Sequence, residues 1–172
     1  MGRVKIAVIR EGKIPHDTRV PLSPKFAREL VEKHPEVELR IEPSPIRCYQ
    51  DEEYQKAGFE VTDELSDCDF FIGVKEVPFH LLITGKTYLF FSHITKKQEH
   101  NKAMLKEILN KKIRLIDYEL FISEQGEGLI GVGVFAGIVG AHYALLMWGR
   151  KNHLYDLKSA LRCRDYKDMI KQ

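Results

Sequence analysis

The chain has 172 residues, of which 44% are hydrophobic and 30% charged, a composition typical of one globular domain with a sizeable core. Its 27 basic and 25 acidic residues are mixed along the chain and give a formal charge of +2, which favours neither a nucleic-acid partner nor a membrane surface. No stretch approaches the roughly 18 apolar residues of a membrane-spanning helix, and the first residues lack the apolar core of a signal peptide.

The N-terminal part alternates predicted strands and helices. Residues 4–9 are mostly apolar, as in a buried strand. Ser23 can cap a helix whose first residue is the following proline, because a helix has no partner there for the N–H that proline lacks. Residues 37–41 alternate apolar and charged side chains and predict a half-buried strand. Asp51 can cap a short second helix, and residues 59–61 form a short extended segment.

The rest of the chain continues the alternation. Residues 70–74 and 87–91 are apolar runs of strand length. Residues 97–111 carry apolar side chains at helical spacing, and residues 113–116 return as a buried strand. A long apolar helix is predicted over residues 135–148. Strands and helices that alternate through short loops predict a single doubly wound α/β domain, with a mostly parallel sheet and helices on both faces.

Two titratable side chains follow the two central apolar runs. Lys75 comes directly after residues 70–74, and His93 comes just after residues 87–91. In open α/β sheets, ligands bind outside the carboxyl ends of the strands. An amine and an imidazole at two such ends suggest an acid–base pair and therefore an enzyme. Each residue alone also fits a simpler role, Lys75 as a surface lysine and His93 as a hydrogen-bonded structural histidine.

A glycine-rich run near the C-terminus imitates a nucleotide-binding loop. Residues 131–137 (GVGVFAG) match the dinucleotide pattern G-x-G-x-x-G/A literally. That pattern needs a strand before it and a second strand after the helix, with an acidic residue about 20 positions on. The polar segment 151–172 offers no such strand. We therefore expect close helix packing at Gly137 and Gly140 rather than a nucleotide.

The cysteines and histidines predict no metal site. The three cysteines lie far apart and form no C-x-x-C pair, so neither a zinc site nor a disulfide framework is supported. The histidines share no ligand spacing. We expect reduced thiols in a cytoplasmic protein.

Five segments of the sequence carry a family resemblance. They are residues 9–11 with 19–24 (IRE, RVPLSP), 43–47 with 51–58, 73–78 (GVKEVP), 90–93 (FFSH), and 114–119 (RLIDYE) with 136–140 (AGIVG). Together they resemble the N-terminal domain of the alanine dehydrogenase and transhydrogenase superfamily. Within it, the chain is most similar to saccharopine dehydrogenase and lysine-ketoglutarate reductase.

The resemblance implies a reaction and three principal residues. Members of the family oxidatively deaminate an amino acid, or reductively aminate a 2-oxo acid or aldehyde, with hydride passing to or from a nicotinamide. The resemblance implies that Lys75 and His93 are the acid–base residues and that Arg19 holds a substrate carboxylate. A guanidinium suits that role because its planar fork matches a carboxylate. Arg19 could instead pair with Asp17 or Glu11.

Three more residues are implied to surround the substrate. Glu76 would tune Lys75, while Lys96 and Glu119 would line the substrate cleft. Lys96 also fits the charge run that often opens a helix, and Glu119 could simply cap a nearby loop. These simpler roles stay open from the sequence.

The family also implies how the chain is organised and what it binds. Residues 1–150 would form the substrate-binding and catalytic domain, and residues 151–172 a polar extension or the start of a linker. The cofactor would be NAD or NADP, but the dinucleotide-binding domain that holds it is absent from this sequence. A nucleotide-binding domain or partner chain would supply it. The expected ligand is a small amino acid or 2-oxo acid, and a homodimer is possible.

The sequence and the resemblance together leave two possible functions for this chain. The first is the substrate-binding and acid–base domain of an NAD(P)-dependent amino-acid dehydrogenase, inactive as an isolated chain because hydride transfer needs a bound cofactor. The alternative is a non-catalytic module, derived from that domain, that binds an amino or oxo acid or another protein. Glu127 and Gly128 stand where lysine-pathway members carry a basic residue, which favours the alternative and weakens the case for saccharopine.

Overall fold

The computed structural model describes residues 2–172, except for the side chain of His100. The chain divides into two compact units, one that ends at Gly128 and one that runs from Leu129 to Gln172. The first unit contains the whole sheet, and the second contains a long helix and a short one. The proposed domain limits at residues 150 and 151 stay a prediction.

The first unit is built on one six-stranded parallel sheet. Its strands are β1 Val4–Val8, β2 Val37–Ile41, β3 Glu60–Val61, β4 Phe70–Ile72, β5 Thr87–Phe90 and β6 Arg114–Asp117. They lie in the order β3-β2-β1-β4-β5-β6, and every neighbouring pair is parallel. The chain therefore builds outwards from β1 in one direction and then from β4 in the other. The predicted doubly wound α/β sheet is confirmed, and its switch point lies between β1 and β4.

Helices of the first unit cover both faces of this sheet. They are α1 Pro24–Lys33, α2 Asp51–Lys56 and α3 Lys102–Asn110. The second unit contains α4 Gly133–Asn152 and α5 Tyr166–Ile170. Side chains alternate along a strand, so Val8 and its neighbour Ala7 point to opposite faces. Val8 belongs to a core with Ala27 of α1 and Tyr54 of α2. Ala7 belongs to the other core, with Met104 of α3.

The two predicted helix caps have different outcomes. Ser23 caps α1 as predicted, since its side chain accepts the N–H of the third helical residue. The prediction for Asp51 is wrong, because Gln50 is the N-cap of α2 and its N–H is accepted by Glu53 Oε2 at 2.7 Å. The Asp51 carboxylate instead pairs with the buried guanidinium of Arg47. An ion pair with a residue four positions earlier thus takes the carboxylate that was expected to cap the helix.

The glycines of α4 do not behave as expected from the sequence. A Cβ atom added at Gly137 or Gly140 would meet no described atom within 4 Å, so the close packing expected at these two positions is wrong. The tight position is Gly149, where an added Cβ would lie 2.5 Å from the ring of Tyr155. The chain turns back there because α4 ends at Asn152 and the next residue, His153, has a φ of 56°. No helix within residues 2–172 is both long and apolar enough to cross a membrane.

The sheet core sets a clear expectation for stability. Phe90 is 0% exposed, so Phe90→Ala should lower the free energy of unfolding by about 3–5 kcal/mol through lost burial and a cavity. The matched control is Phe26→Ala in α1, because Phe26 is 58% exposed, and its cost should stay below about 1 kcal/mol. Urea unfolding followed by circular dichroism compares the two variants. Equal costs would contradict the core described here.

Candidate functional site

Lys75 and His93 follow two strands that lie side by side. β4 and β5 are parallel neighbours in the middle of the sheet. Their pairing continues past the strand ends, where the Phe91 N–H donates to the Val74 carbonyl at 3.1 Å. Because the carboxyl ends of parallel strands share one edge, both residues leave the sheet at the same edge, next to the switch point. The sequence predicted this placement.

His93 is the centre of a small cluster of charged side chains. Its Nδ1 lies 2.9 Å from Glu119 Oε1 and 3.1 Å from Lys96 Nζ. Its Nε2 lies 3.9 Å from Glu76 Oε1. Lys96 Nζ also contacts Glu119 Oε1, at 2.6 Å. The structure therefore brings together four of the six residues singled out from the sequence. With a proton on Nδ1 shared towards Glu119, the Nε2 lone pair would be available as a base.

Glu119 has one committed oxygen and one unused oxygen. The Lys96 ammonium holds the pKa of the Glu119 carboxyl below its usual value; burial opposes this effect, and the His93 ring adds to the lowering. Glu119 Oε2 is buried and has no hydrogen-bond partner among the described residues. A buried acceptor without a partner is costly, so this oxygen is suited to an N–H or O–H donor on a ligand.

Glu76 faces a different lysine from the one expected. Its Oε2 lies 3.0 Å from Lys13 Nζ, and its other oxygen faces His93. Burial alone would raise the pKa of Glu76, but its own backbone N–H and the Lys13 ammonium outweigh burial and lower it. Within residues 2–172, Glu76 makes no ion pair with Lys75. Any influence of Glu76 on Lys75 would therefore act at longer range.

Lys75 is positioned through its backbone by a residue that the sequence reasoning did not select. Glu11 follows β1, and its two carboxylate oxygens accept the N–H groups of Val74 and Lys75 at 2.7 and 2.8 Å. Burial raises the pKa of Glu11, and the two N–H groups offset part of that rise. Glu11 thus joins the ends of β1 and β4 across the switch point. Its place in the first family segment was the available signal. Within the described residues, the Lys75 ammonium has no ion-pair partner.

Arg19 pairs with Asp17, as the simpler alternative allowed. Arg19 Nε lies 2.9 Å from Asp17 Oδ1, and Nη2 lies 2.5 Å from Oδ2. This hydrogen bonding holds the pKa of the Asp17 carboxyl below its usual range, and the Lys75 charge adds to the effect. Only one edge of the guanidinium is used, because Nη1 makes no hydrogen bond within residues 2–172. Arg19 can therefore still receive a second carboxylate.

The glycine run of residues 131–137 does not fit a dinucleotide. Residues 129–132, which precede the glycine run, form no strand, and no strand follows α4 in the described chain. The strand–helix–strand unit that the fingerprint requires is therefore missing around Gly131. Leaving aside the side chain of His100, no group of three or more His, Cys, Asp or Glu side chains could hold a metal ion.

Three buried polar residues near His93 were also missed from the sequence. Asn101 Nδ2 donates to the His93 carbonyl at 3.0 Å, and Ser92 donates its hydroxyl hydrogen to Asp117. Ser92 and Asp117 lie inside two of the family segments, next to the residues that were selected. Small polar residues beside a titratable one are common in loops. Their burial, which sequence does not reveal, is what distinguishes them.

The Glu11 contacts can be tested by removing one acceptor. Glu11→Gln leaves one side-chain oxygen for two N–H groups and turns an amide NH₂ towards the other donor. We expect a loss of about 1–3 kcal/mol in the free energy of unfolding, even though neutral Gln is cheaper to bury. Urea unfolding gives the value. Glu32→Gln, on the exposed surface of α1, is the matched control and should change little. Equal losses would contradict the link between β1 and β4.

The charge cluster predicts how Glu119 titrates. Because its folded pKa lies below its unfolded one, its ionised contacts stabilise the fold above the unfolded pKa, and this stability is lost as pH falls through the folded pKa. Lys96→Met should raise the folded pKa towards the ordinary value and shrink that acid-dependent loss. Carbon-13 NMR of the side-chain carboxyl follows the titration. The adjacent change Lys97→Met should leave it where it is, and an unmoved Glu119 in Lys96→Met would refute the pairing.

Comparison with known proteins identifies the relatives of this sequence. It matches the family described as the alanine dehydrogenase/PNT N-terminal domain over residues 7–139. It is 36% identical over 135 residues to the mitochondrial alpha-aminoadipic semialdehyde synthase of Rattus norvegicus, covering 78% of this chain and 14% of the rat protein. It is 30% identical over 141 residues to the saccharopine dehydrogenase (NAD(+), L-lysine-forming) of Neurospora crassa, covering 78% of this chain and 37% of that one. The chain thus spans well under half the length of either relative.

Two solved structures share the fold. An L-alanine dehydrogenase superposes with a TM-score of 0.60 at 22% identity, over 72% of this chain and 34% of that chain. The transhydrogenase from Sinorhizobium meliloti gives a TM-score of 0.56 at 14% identity, over 70% of this chain and 36% of that chain. The family match extends from β1 into α4. On the strength of that match, this chain belongs to the family of alanine dehydrogenase/PNT N-terminal domains.

Proposed function

We propose that this chain is the substrate-binding and acid–base domain of an amino-acid dehydrogenase that uses NAD or NADP. The observation that carries the proposal is the contact of His93 Nδ1 with Glu119 at 2.9 Å; with the ring proton on Nδ1, Nε2 would be a proton acceptor at the sheet edge where ligands bind. The family membership supports the reaction class. The name of the Neurospora relative, which contains both NAD(+) and L-lysine, supports the cofactor and lysine metabolism.

The ligand would be held by complementary groups on this chain. The unused Nη1 of Arg19 would bind a carboxylate of a small amino acid or 2-oxo acid. The buried Glu119 Oε2 would accept an N–H of the substrate amine. Lys96 lies 2.6 Å from that carboxylate and would keep it ionised. Each role uses an atom that has spare hydrogen-bonding capacity.

His93 and Lys75 would move the proton at the substrate nitrogen or at the carbinolamine. His93 would act through Nε2, with Glu119 fixing the ring and Glu76 facing the ring edge. Lys75, held through its backbone by Glu11, would act as the second acid–base group. The nicotinamide, when bound, takes or gives the hydride. The proton transfer is the part of the chemistry that this chain can perform.

The cofactor would be held outside this chain. Its own glycine run does not fit a dinucleotide, so we propose that a nucleotide-binding domain or a partner chain supplies the nicotinamide. A homodimer and a cytoplasmic location stay predictions, and the rat relative is described as mitochondrial. The acidic residue Glu127 lies in an exposed turn, which makes saccharopine a weaker candidate than a smaller substrate.

One observation favours the non-catalytic alternative. Asp17 already occupies one edge of the Arg19 guanidinium. A derived domain that binds an amino or oxo acid, or a protein, without turnover would tolerate such an internal pair. The alternative therefore predicts ligand binding without proton transfer.

Calorimetric titration tests the substrate-binding role. The 172-residue chain is titrated with 2-oxoglutarate, lysine, saccharopine, alanine and pyruvate. For the ligand that binds, Arg19→Ala should weaken the affinity by about 10–100-fold, the usual effect of losing a charged hydrogen bond. Arg28→Ala, on exposed α1, is the control and should bind normally. No binding at millimolar concentration, with no effect of Arg19→Ala or Lys75→Met, would sink the proposal.

Proton linkage then separates the two functions. Titrations in two buffers of different ionisation enthalpy count the protons exchanged on binding. Proton exchange that disappears in His93→Asn favours the acid–base role. Binding without any proton exchange favours the non-catalytic module.

A further inference from the structure

Two buried polar side chains lie beneath the His93 cluster. Ser92 is 0% exposed and follows β5, while Asp117 is 4% exposed and ends β6. β5 and β6 are parallel neighbours with Phe90 opposite Asp117. The Ser92 hydroxyl donates to Asp117 Oδ2, so the two side chains bridge the ends of these strands. The bridge lies at the last point where the sheet still fixes the backbone.

Each partner of the bridge also fixes the turn that follows it. Ser92 Oγ accepts the N–H of Ile94 at 3.2 Å, at the start of the 3₁₀ turn Ile94–Lys96. Asp117 Oδ1 accepts the N–H of Glu119 at 3.0 Å, in the 3₁₀ turn Tyr118–Leu120. The first turn carries Lys96 and the second carries Glu119. One hydrogen bond therefore joins the two turns that hold the charged partners of His93.

These turns need such support. Single 3₁₀ turns have poor hydrogen-bond geometry and little stability of their own. His93 enters its turn with a φ of 54°, in the left-handed region that few non-glycine residues adopt. The strand ladder ends before both turns, so it cannot set the distance between His93 and Glu119. The Ser92–Asp117 bridge spans the gap, alongside the contacts of Glu119 itself with His93 and Lys96 and an edge-to-face contact of the Phe91 and Tyr118 rings.

We propose that Ser92 and Asp117 are positioning residues that hold the His93 imidazole and the Glu119 carboxylate at hydrogen-bonding distance. The proposal deepens the proposed function, because it names what sets the geometry of the acid–base group. Neither residue needs to touch the substrate. Both act through the turns that carry His93, Lys96 and Glu119.

A purely structural role would have a different signature. A buried hydroxyl–carboxylate bond stabilises the fold wherever it lies, so its loss lowers stability under either interpretation. Only the positioning role predicts that the electrostatic environment of Glu119 changes. The charged groups that face Glu119 are Lys96 and His93 on one turn, with Asp117 below and Glu76 on the far side of the ring.

The decisive measurement is the carbon-13 NMR titration of the Glu119 carboxyl in the intact chain. In Ser92→Ala and in Asp117→Asn, we expect the pKa of Glu119 to rise towards its ordinary value as Lys96 and His93 move away. Asp117→Asn is especially informative, since removing a nearby negative charge would by itself lower that pKa. A rise in Asp117→Asn therefore cannot come from the charge change. If Ser92→Ala fails to fold, the near-isosteric Ser92→Cys replaces it.

Two comparisons complete the experiment. Adding Lys96→Met to Ser92→Ala should raise the pKa of Glu119 by less than Lys96→Met does in the unaltered chain, because Lys96 is already displaced. Ser44→Ala removes another buried hydroxyl, one with no hydrogen-bond partner in the described residues, and should leave Glu119 unchanged. An unchanged Glu119 titration in both Ser92→Ala and Asp117→Asn would overturn the positioning role. The titration needs no ligand, so a failure to bind substrate would count against the proposed function alone.

Discussion

The parallel pairing of β4 with β5 is the constraint on which the candidate site depends. It brings Lys75 and His93, which are far apart along the chain, to one edge of the sheet. Parallel strands cannot be joined by a tight hairpin, so the chain must cross over between them, and this leaves room for loops at the carboxyl ends. Glu11 then extends the constraint across the switch point by binding the backbone at Lys75. The sheet fixes the backbone, and the loops that follow its strands carry the side chains of the candidate site.

Most charges at this edge already have a partner within the chain. Arg19 is paired with Asp17, and Lys96 with Glu119. Internal pairing lets the charges be held in a partly buried region without a ligand, since an unpaired buried charge is costly. A charged ligand would therefore bind mainly by replacing one partner of an existing ion pair, and to a lesser extent by pairing with an unpaired charge. The Lys75 ammonium, which has no ion pair in the described residues, is the exception, and it is one of the two groups proposed to carry the proton.

The sequence predicted a structural feature well where that feature depends on residues nearby in the chain. It predicted less well where the feature depends on residues that only folding brings together. Apolar runs and the cap at Ser23 depend on neighbours in the chain, so the alternation of strands and helices and the start of the first helix followed from pattern and family resemblance. The cap at Asp51 failed although its cause is also local, because Arg47, four residues earlier in the chain, takes its carboxylate and Gln50 caps the helix. The roles of Glu11 and Asp117 were out of reach because they depend on residues that are distant in the chain. Their partners are backbone groups and buried hydroxyls that only the fold brings near.

The left-handed backbone of His93 also limits what can replace it. With a φ of 54°, the position accepts asparagine, aspartate or glycine with little strain, whereas β-branched residues would have to distort the turn. A relative with asparagine or glycine at this position could therefore keep an intact loop without the imidazole. The residue that a relative carries here thus indicates whether the proposed proton transfer could have been retained.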